Sequence, residues 1–353
     1  LLPKDLIASW TKIGYALGVI GVIAFLVGLF GSPVRARFGA AYLVGFLFTT
    51  TIAIGGLFFV IIHHLARSGW SVGPRRIMEW LSQGLIASAI LFIPLVILAH
   101  DVWHHWMGEH AQHDQLLQKK AWYLNETFFY VRAIVFLVTW AVLAIWFYNN
   151  SLKQDETGDR RISEKLQAAS APAVMITGLT ITFAGFDWVM SLDPHWYSTI
   201  FGVYLFAGFL LRSHALLSLI IVRLRRDNLG QSLLTVEHQH DVGKYLFAWV
   251  IFWAYIGFSQ FMLIFYANIP EETVWFRHRW EHGWSTVSMA IFLLHFVAPF
   301  LAIMSRHPKR RPAMLAIAAL WMLFMAAIDI YWLVMPDVPD ELVHSARTYA
   351  EFQ

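Results

Sequence analysis

The chain contains no cysteine, and this absence limits the chemistry it can carry. Without thiolates it holds neither a cysteine-ligated iron–sulfur cluster nor a disulfide, so any such centre must belong to another subunit. Charged residues are also scarce, at 14% of the 353 residues, whereas 58% are hydrophobic and 16% are aromatic. This composition excludes a disordered chain and a nucleic-acid-binding domain. The small net charge of +3 suits loops that lie against anionic lipid.

Long apolar runs dominate the chain. Nine stretches approach the ~20 apolar residues that a helix needs to cross a bilayer. We place these spans at 13–30, 42–65, 85–106, 127–148, 170–190, 198–222, 244–268, 284–305 and 313–335. The sequence therefore predicts an all-α polytopic membrane protein with a single integral membrane domain, 1–353. Spans two to five and six to nine run in matching orientations, which predicts two four-helix bundles, 42–190 and 198–335, plus peripheral helices.

Lysine and arginine residues fall mostly on alternate loops. We call the membrane face that carries the N-terminus side A and the opposite face side B. Seventeen of these cations fall on side A: Lys4, Lys12, Arg67, Arg75, Arg76, Lys153, Arg160, Arg161, Lys165, Arg223, Arg225, Arg226, Lys244, Arg306, Lys309, Arg310 and Arg311. Only seven fall on side B: Arg35, Arg37, Lys119, Lys120, Arg277, Arg279 and Arg347. The positive-inside rule then predicts that side A, with the N-terminus, is cytoplasmic.

Side B carries three clusters rich in acidic, histidine and aromatic residues, which we interpret as partner-docking candidates. Their members are His100, Asp101 and His104 after span three; Asp193, His195 and Trp196 between spans five and six; and Asn268, Glu271 and Glu272 after span seven. Aromatic residues at span ends are otherwise typical of the interfacial belt. His100 and His104 lie one helical turn apart, as do Asp101 and His105, which is a metal-ligand spacing. No third ligand converges on either pair in the sequence, so we assign no metal.

The segment Asp193-Pro194-His195-Trp196 predicts a structural corner that presents its surface to a partner. Proline fixes the turn, and Asp193 can accept backbone N–H groups at the start of the next helix. We expect Trp196 to anchor the corner at the membrane interface.

Polar residues within the spans are the other functional candidates, because hydrocarbon makes them costly unless they are paired or wetted. They are Arg132, Asp187, Arg212, His214, Tyr255, Ser259, Gln260, His295 and Asp329. A set at several depths predicts a proton path or a wetted cavity, and structural Arg–Asp pairing is the alternative. We expect Asp187 and Asp329 to lie toward side B, with Tyr255 and His295 as candidate neighbours of Asp329.

Two other classes remain open at this point. A b-type cytochrome needs facing histidines at matched depth, and His63, His64, His214 and His295 are the available ligands. A stand-alone proton-coupled transporter is the second class. It typically has helices broken at corresponding positions of two halves, whereas Pro94 in span three and Pro299 in span eight are not a matched pair.

Two long segments carry a family resemblance. Residues 186–204 (FDWVMSLDPHWYSTIFGVY) and 255–273 (YIGFSQFMLIFYANIPEET) resemble the F subunits of bacterial alternative complex III, which are NrfD-like relatives of polysulfide-reductase-type quinone subunits. The span pattern extends the resemblance over nearly the whole chain. That family usually has ten spans, so the resemblance implies a tenth after Gln353.

The resemblance implies a membrane subunit of a quinol:cytochrome c or other electron-acceptor oxidoreductase in the bacterial inner membrane. Electrons from quinol would pass through an iron–sulfur subunit to c-type haems on the outer side. The implied partners are a sister NrfD-like membrane subunit, the iron–sulfur subunit, c-type cytochrome subunits, small membrane subunits and lipid. No covalently bound cofactor is expected in this chain, and quinone is a ligand implied by the family. Within the family, the sister subunit contacts the iron–sulfur subunit and is therefore the better candidate for quinol oxidation. We expect this chain instead to handle protons and to scaffold its partners.

Overall fold

The computed structural model describes residues 4–31, 35–108, 111, 113–229, 233–281 and 283–338. Within these ranges all regular structure is helical, and nine helical paths are long and apolar enough to cross a membrane. The prediction of an all-α polytopic membrane protein is therefore confirmed. Arg347 and the expected tenth span lie outside the described residues.

The helices, in chain order, are α1 Lys4–Gly31, α2 Arg35–Leu65, α3 Val72–Ser82, α4 Gly84–Leu91, α5 Ile93–Ile97, α6 Ala99–Val102, α7 His104–Met107, α8 Gln115–Lys120, α9 Glu126–Thr157, α10 Arg160–Trp188, α11 Phe201–Arg226, α12 Val236–Ala267, α13 Pro270–His278, α14 Trp284–Ala290, α15 Ala298–Ile303, α16 Arg306–Arg310 and α17 Pro312–Val334. A π-helical turn, Ile291–Val297, joins α14 to α15.

Span three begins and ends earlier than the predicted 85–106. Its helical path runs from α3 through α5, from Val72 to Ile97. The charged residues Arg75, Arg76 and Glu79 hide this start from an apolar count. Glu79 is buried and contacts both cations, at 2.8 Å from Arg76 and 3.6 Å from Arg75. The path is broken at α5, where Pro94 supplies no backbone N–H.

A tight turn between α9 and α10 sets the depth of their side chains. Gly158 ends α9 with a φ of +64°, a left-handed conformation that favours glycine, and the Asp159 carboxylate caps α10 by accepting from Arg161 N at 2.9 Å. The two helices then run antiparallel from side A. Arg132 and Asp187 lie at similar chain distances from this turn, which brings them to the same depth near side B.

Helices α2 and α11 form the centre of the molecule, and α1 lies at its edge. The apolar window of α11 is 78% buried, whereas that of α1 is 0% buried. Close approach of α2 to α11 requires Gly55, because a Cβ there would lie 2.5 Å from Ser213 Oγ and 2.7 Å from Phe209 O. Helix α2 also packs on α3 and α10, and α11 on α12 and α17. The division into two four-helix bundles stays a prediction.

Candidate functional site

The first buried ion pair joins α9 to α10. Arg132 Nε donates to Asp187 Oδ2 at 2.6 Å, and its Nη2 donates to Oδ1 at 3.0 Å. Tyr123 Oη also donates to Oδ1 at 2.9 Å, and the guanidinium stacks over the Tyr123 ring at 3.9 Å. Asp187 is fully buried, so these bonds compensate for its removal from water. Burial, followed by the charge of Asp187, raises the pKa of the Tyr123 phenol, which lies outside the spans.

The second buried ion pair joins α11 to α17. Tyr204 Oη donates to Asp329 Oδ1 at 2.5 Å, while Arg212 Nη2 approaches Oδ2 only to 3.5 Å. Arg212 Nη1 instead donates to Thr51 Oγ1 on α2 at 3.1 Å. Arg212 and Asp329 are each 1% exposed. The carboxyl group is therefore bound tightly by a phenol and loosely by its cation, an arrangement that allows proton exchange with less electrostatic cost than a bidentate pair.

His295 reaches the interior through the π-helical turn. A π turn widens the helix locally and is frequent at functional sites. It leaves Leu294 O to accept from Trp321 Nε1 at 2.7 Å, and it places the His295 ring 4.2 Å from the Trp253 ring. Tyr204 also contacts Trp253, at 5.8 Å between ring centroids. His295 is fully buried, and among the described residues neither of its ring nitrogens has a hydrogen-bond partner.

Tyr255, the other expected neighbour of Asp329, lies on the outside of the bundle with 63% of its surface exposed. Tyr204 takes the predicted place instead. The α-helical register of α12 explains the difference, since it turns Trp253 and Gln260 inward and Tyr255 outward. Gln260 accepts from Ser198 Oγ at 3.2 Å, on the side-B flank of the bundle.

Two of the four histidines considered as haem ligands lie together in an aromatic cluster. His63 and His214 both face Tyr245, at 6.1 and 5.7 Å between centroids, and Phe59 stacks on His63 at 3.8 Å. Each uses Nδ1 on a backbone carbonyl of its own helix. A porphyrin held between these two histidines would need the space that the Phe59 and Tyr245 rings occupy. His64 points away from this cluster, toward Phe147.

The expected one-turn spacing of His100 and His104 is broken, because the helix is interrupted at Trp103 and the two residues lie on α6 and α7. His100 lies 3.6 Å from Glu126, and Asp101 lies 3.5 Å from Arg35. His104 is partly buried against His105, at 4.0 Å between ring centroids. Throughout the described ranges, no group of three His, Cys, Asp or Glu residues is arranged to hold a metal ion.

The predicted corner is present, but Trp196 does not face a membrane interface. It is 2% exposed, stacks on Trp275 at 4.5 Å between centroids, and donates from Nε1 to Glu272 O at 3.0 Å. Asp193 accepts from the His195 backbone N–H at 3.2 Å, within the turn itself. The prediction that it caps the next helix is wrong, because α11 begins only at Phe201 and has no side-chain cap. The corner therefore locks α11 to α13 inside the protein, and His195 remains its exposed member.

The three other side-B candidates in this region lie at the end of one helix and in the first turn of the next. Asn268 ends α12 in a left-handed conformation with a φ of +48°. Glu271 and Glu272 begin α13, where carboxylates are favoured by the helix dipole. Glu271 is exposed.

Sequence reasoning missed Glu79, a buried acid at the side-A end of span three. It is 1% exposed, accepts from Ser151 Oγ at 2.9 Å, and lies 3.9 Å from His64 Nε2. The spacing of Arg75 and Arg76 to Glu79, at four and three residues, was the available signal.

Arg279 was counted only as a side-B loop cation. It is fully buried, donates to Leu333 O and to Asp337 Oδ2, at 2.9 and 2.7 Å, and stacks on Trp275 at 3.5 Å. It therefore caps the side-B end of α17, and nothing in its sequence neighbourhood pointed to that role.

The fold and its paired internal charges define a polytopic α-helical membrane protein with polar clusters inside the bundle. No family model matches the sequence, and no curated protein matches it.

Proposed function

We propose that this chain is a membrane subunit of a quinol:electron-acceptor oxidoreductase in the bacterial inner membrane, with side A cytoplasmic. In this assignment it carries a proton path and docks periplasmic c-type cytochrome subunits. The resemblance of residues 186–204 and 255–273 to the F subunits of alternative complex III supports the assignment. The lack of cysteine supports it too, since iron–sulfur centres would then lie in a partner subunit.

The single observation that carries the proton role is the buried cluster of Asp329, Tyr204 and Arg212. A carboxyl group inside a membrane bundle has two low-energy states, paired as an anion or neutral as an acid. Here the phenol at 2.5 Å stabilises the anion and the arginine at 3.5 Å contributes a weaker contact. His295 is buried with its ring 4.2 Å from the Trp253 ring, and we include it as a further candidate on this path. The group can therefore change protonation without leaving a strong ion pair broken.

Quinol oxidation itself we place in the sister membrane subunit, and we assign no residue of this chain to a quinone. The side-B residues His195 and Glu271 are exposed and suit contacts with the periplasmic redox subunits. Haem and iron–sulfur groups belong to those partners in this proposal.

Asp329→Asn tests the proposal, because an amide keeps the shape of the carboxyl group but cannot exchange a proton. We expect the complex to assemble, with quinol oxidation slowed roughly tenfold or more or with fewer protons released per electron. Asp155→Asn is the matched control, since that carboxylate is 64% exposed on side A and lies outside the proposed proton path and docking face. Full activity and an unchanged proton-to-electron ratio in both Asp329→Asn and Asp187→Asn would refute the proton role.

Blue-native electrophoresis with haem staining tests the wider assignment. Co-migration of the chain with c-type haem subunits is expected. A solitary haem-free band would favour the stand-alone transporter, and a haem-stained band of the isolated chain would favour a b-type cytochrome.

A further inference from the structure

A cavity of about 20 Å³ lies inside the bundle where α2, α9, α10, α11 and α17 meet. Most of its wall is apolar, with side chains such as Leu47, Ile181 and Phe209. Its polar wall is formed by Thr50, Thr51 and Arg212, together with the indoles of two tryptophans. A buried water needs roughly 10–15 Å³ of such space and two to four polar partners. The cavity is therefore large enough for one water molecule.

Two lining residues carry buried N–H groups that lack a partner within the described part of the chain. They are Arg212 Nε and Trp188 Nε1, on residues that are 1% and 3% exposed. A buried donor without an acceptor costs about 1–3 kcal/mol, more when it is charged. The second tryptophan, Trp140, differs in this respect, because its Nε1 donates to Thr180 Oγ1 at 2.8 Å.

The hydroxyl groups on α2 provide acceptors for the same cavity. Thr51 Oγ1 receives the 3.1 Å bond from Arg212 Nη1, and Thr50 Oγ1 donates to Ser88 Oγ at 3.0 Å. A hydroxyl oxygen has two lone pairs, so each threonine oxygen retains acceptor capacity. Donors without acceptors and oxygens with spare lone pairs are the combination that a water molecule satisfies, since it accepts two hydrogen bonds and donates two.

We propose that this cavity binds one ordered water, which accepts from Arg212 Nε and Trp188 Nε1 and donates toward the threonine oxygens of α2. The water links α10 to the guanidinium of α11 inside the membrane. One consequence rests on the proposed function: the water gives the Arg212 guanidinium a second partner, besides Thr51, that does not depend on Asp329. The guanidinium then stays hydrogen-bonded when Asp329 becomes protonated.

A cryo-EM map of the purified assembly in lipid nanodiscs tests the site, at a resolution that shows other buried waters. We expect density in the cavity within hydrogen-bond distance of Arg212. Trp188→Phe should remove or displace that density, whereas Trp140→Phe, which trims a wall of the same cavity but takes away an N–H that is already paired, should keep it.

A cavity without density in such a map of the unmodified chain would overturn the proposal, as would equal loss in the two tryptophan variants. The map of the unmodified chain decides the matter if either variant fails to fold. The proposed function is tested separately, because unaffected Asp329→Asn and Asp187→Asn complexes would refute the proton role while leaving the water density in place.

Discussion

Each of the buried arginines Arg132, Arg212 and Arg279 contacts a buried aspartate, because desolvation makes an unpaired charge costly. Removing one partner should therefore destabilise the fold more than removing an exposed pair. We expect Arg132→Met to lower the free energy of unfolding by about 3–5 kcal/mol, because it leaves the Asp187 carboxylate buried without its bidentate cation. Denaturant unfolding in a mixed detergent and lipid system measures this change.

Arg35→Met is the control, since Arg35 is 57% exposed and lies 3.5 Å from Asp101. Its effect should stay below about 1 kcal/mol. The double variant Arg132→Met with Asp187→Leu should regain most of the lost stability, because neither charge then remains. Equal losses of unfolding free energy for Arg132→Met and Arg35→Met would show that breaking the buried pair costs no more than breaking the exposed one.

At this scale the sequence identified the charged residues of the two ion pairs within the spans, but it missed the buried Glu79 and Arg279 and the neighbour Tyr204. A charged residue in an apolar run is visible from composition, and its need for an opposite charge follows from the cost of burial. Tyr204 and Tyr255 look alike in the sequence, because each is a tyrosine within an apolar span. Which of them turns inward depends on how each helix is rotated in the bundle, and that rotation is fixed by distant packing contacts.

Among the elements, the corner between α10 and α11 is held by stacked indoles rather than by its proline alone. We expect Trp196→Ala to cost about 3–5 kcal/mol of unfolding free energy, since it removes the 4.5 Å stack on Trp275 and the bond to Glu272 O. Thermal unfolding of the purified chain measures it. Trp122→Ala, at a site that is 78% exposed, should change stability by less than about 0.5 kcal/mol. A loss of partner binding with unchanged stability would instead support a surface role for Trp196.

The same corner has a pH-dependent tie to α8. Asp114 accepts from His195 Nε2 at 2.5 Å and from Leu116 N at 2.8 Å, and the His195 bond, followed by that backbone bond, lowers the pKa of the Asp114 carboxyl below its ordinary 3.8. A depressed pKa means that the tie is fully present above the ordinary value and is lost as the pH falls through the depressed one.

Hydrogen exchange, corrected for its intrinsic pH dependence, should therefore show the first turn of α8 protected at neutral pH and exposed in strong acid. Asp114→Asn should abolish the acid step, because an amide does not titrate in this range. An acid step of the same size in that variant would assign the transition to another group.

Helical spans were predictable from the sequence, and their irregularities were not. Apolar length fixes a span because the bilayer core has a fixed thickness. The π-helical turn at 291–297 carries a tertiary bond from Trp321 Nε1 to Leu294 O, and neither this turn nor the break at Trp103 changes the apolar length of its span. The prediction that His100 and His104 lie one helical turn apart was wrong, because it assumed an unbroken helix.

For the whole molecule, the alternation of basic loops predicts one orientation, and the absence of cysteine makes it directly measurable. Single-cysteine variants Arg310→Cys and Glu271→Cys place a thiol on side A and on side B. Both positions lie on short helices outside the nine spans, α16 and α13. We expect a membrane-impermeant maleimide to label the variant at 271 in cells with a permeabilised outer membrane, and to label the variant at 310 only after the inner membrane is opened. The positive-inside bias sets this outcome, because basic loops are retained on the cytoplasmic side during insertion. Labelling at 310 with the inner membrane intact, under conditions that spare a cytosolic control thiol, would reverse the orientation and place the side-B residues His195 and Glu271 out of reach of periplasmic partners.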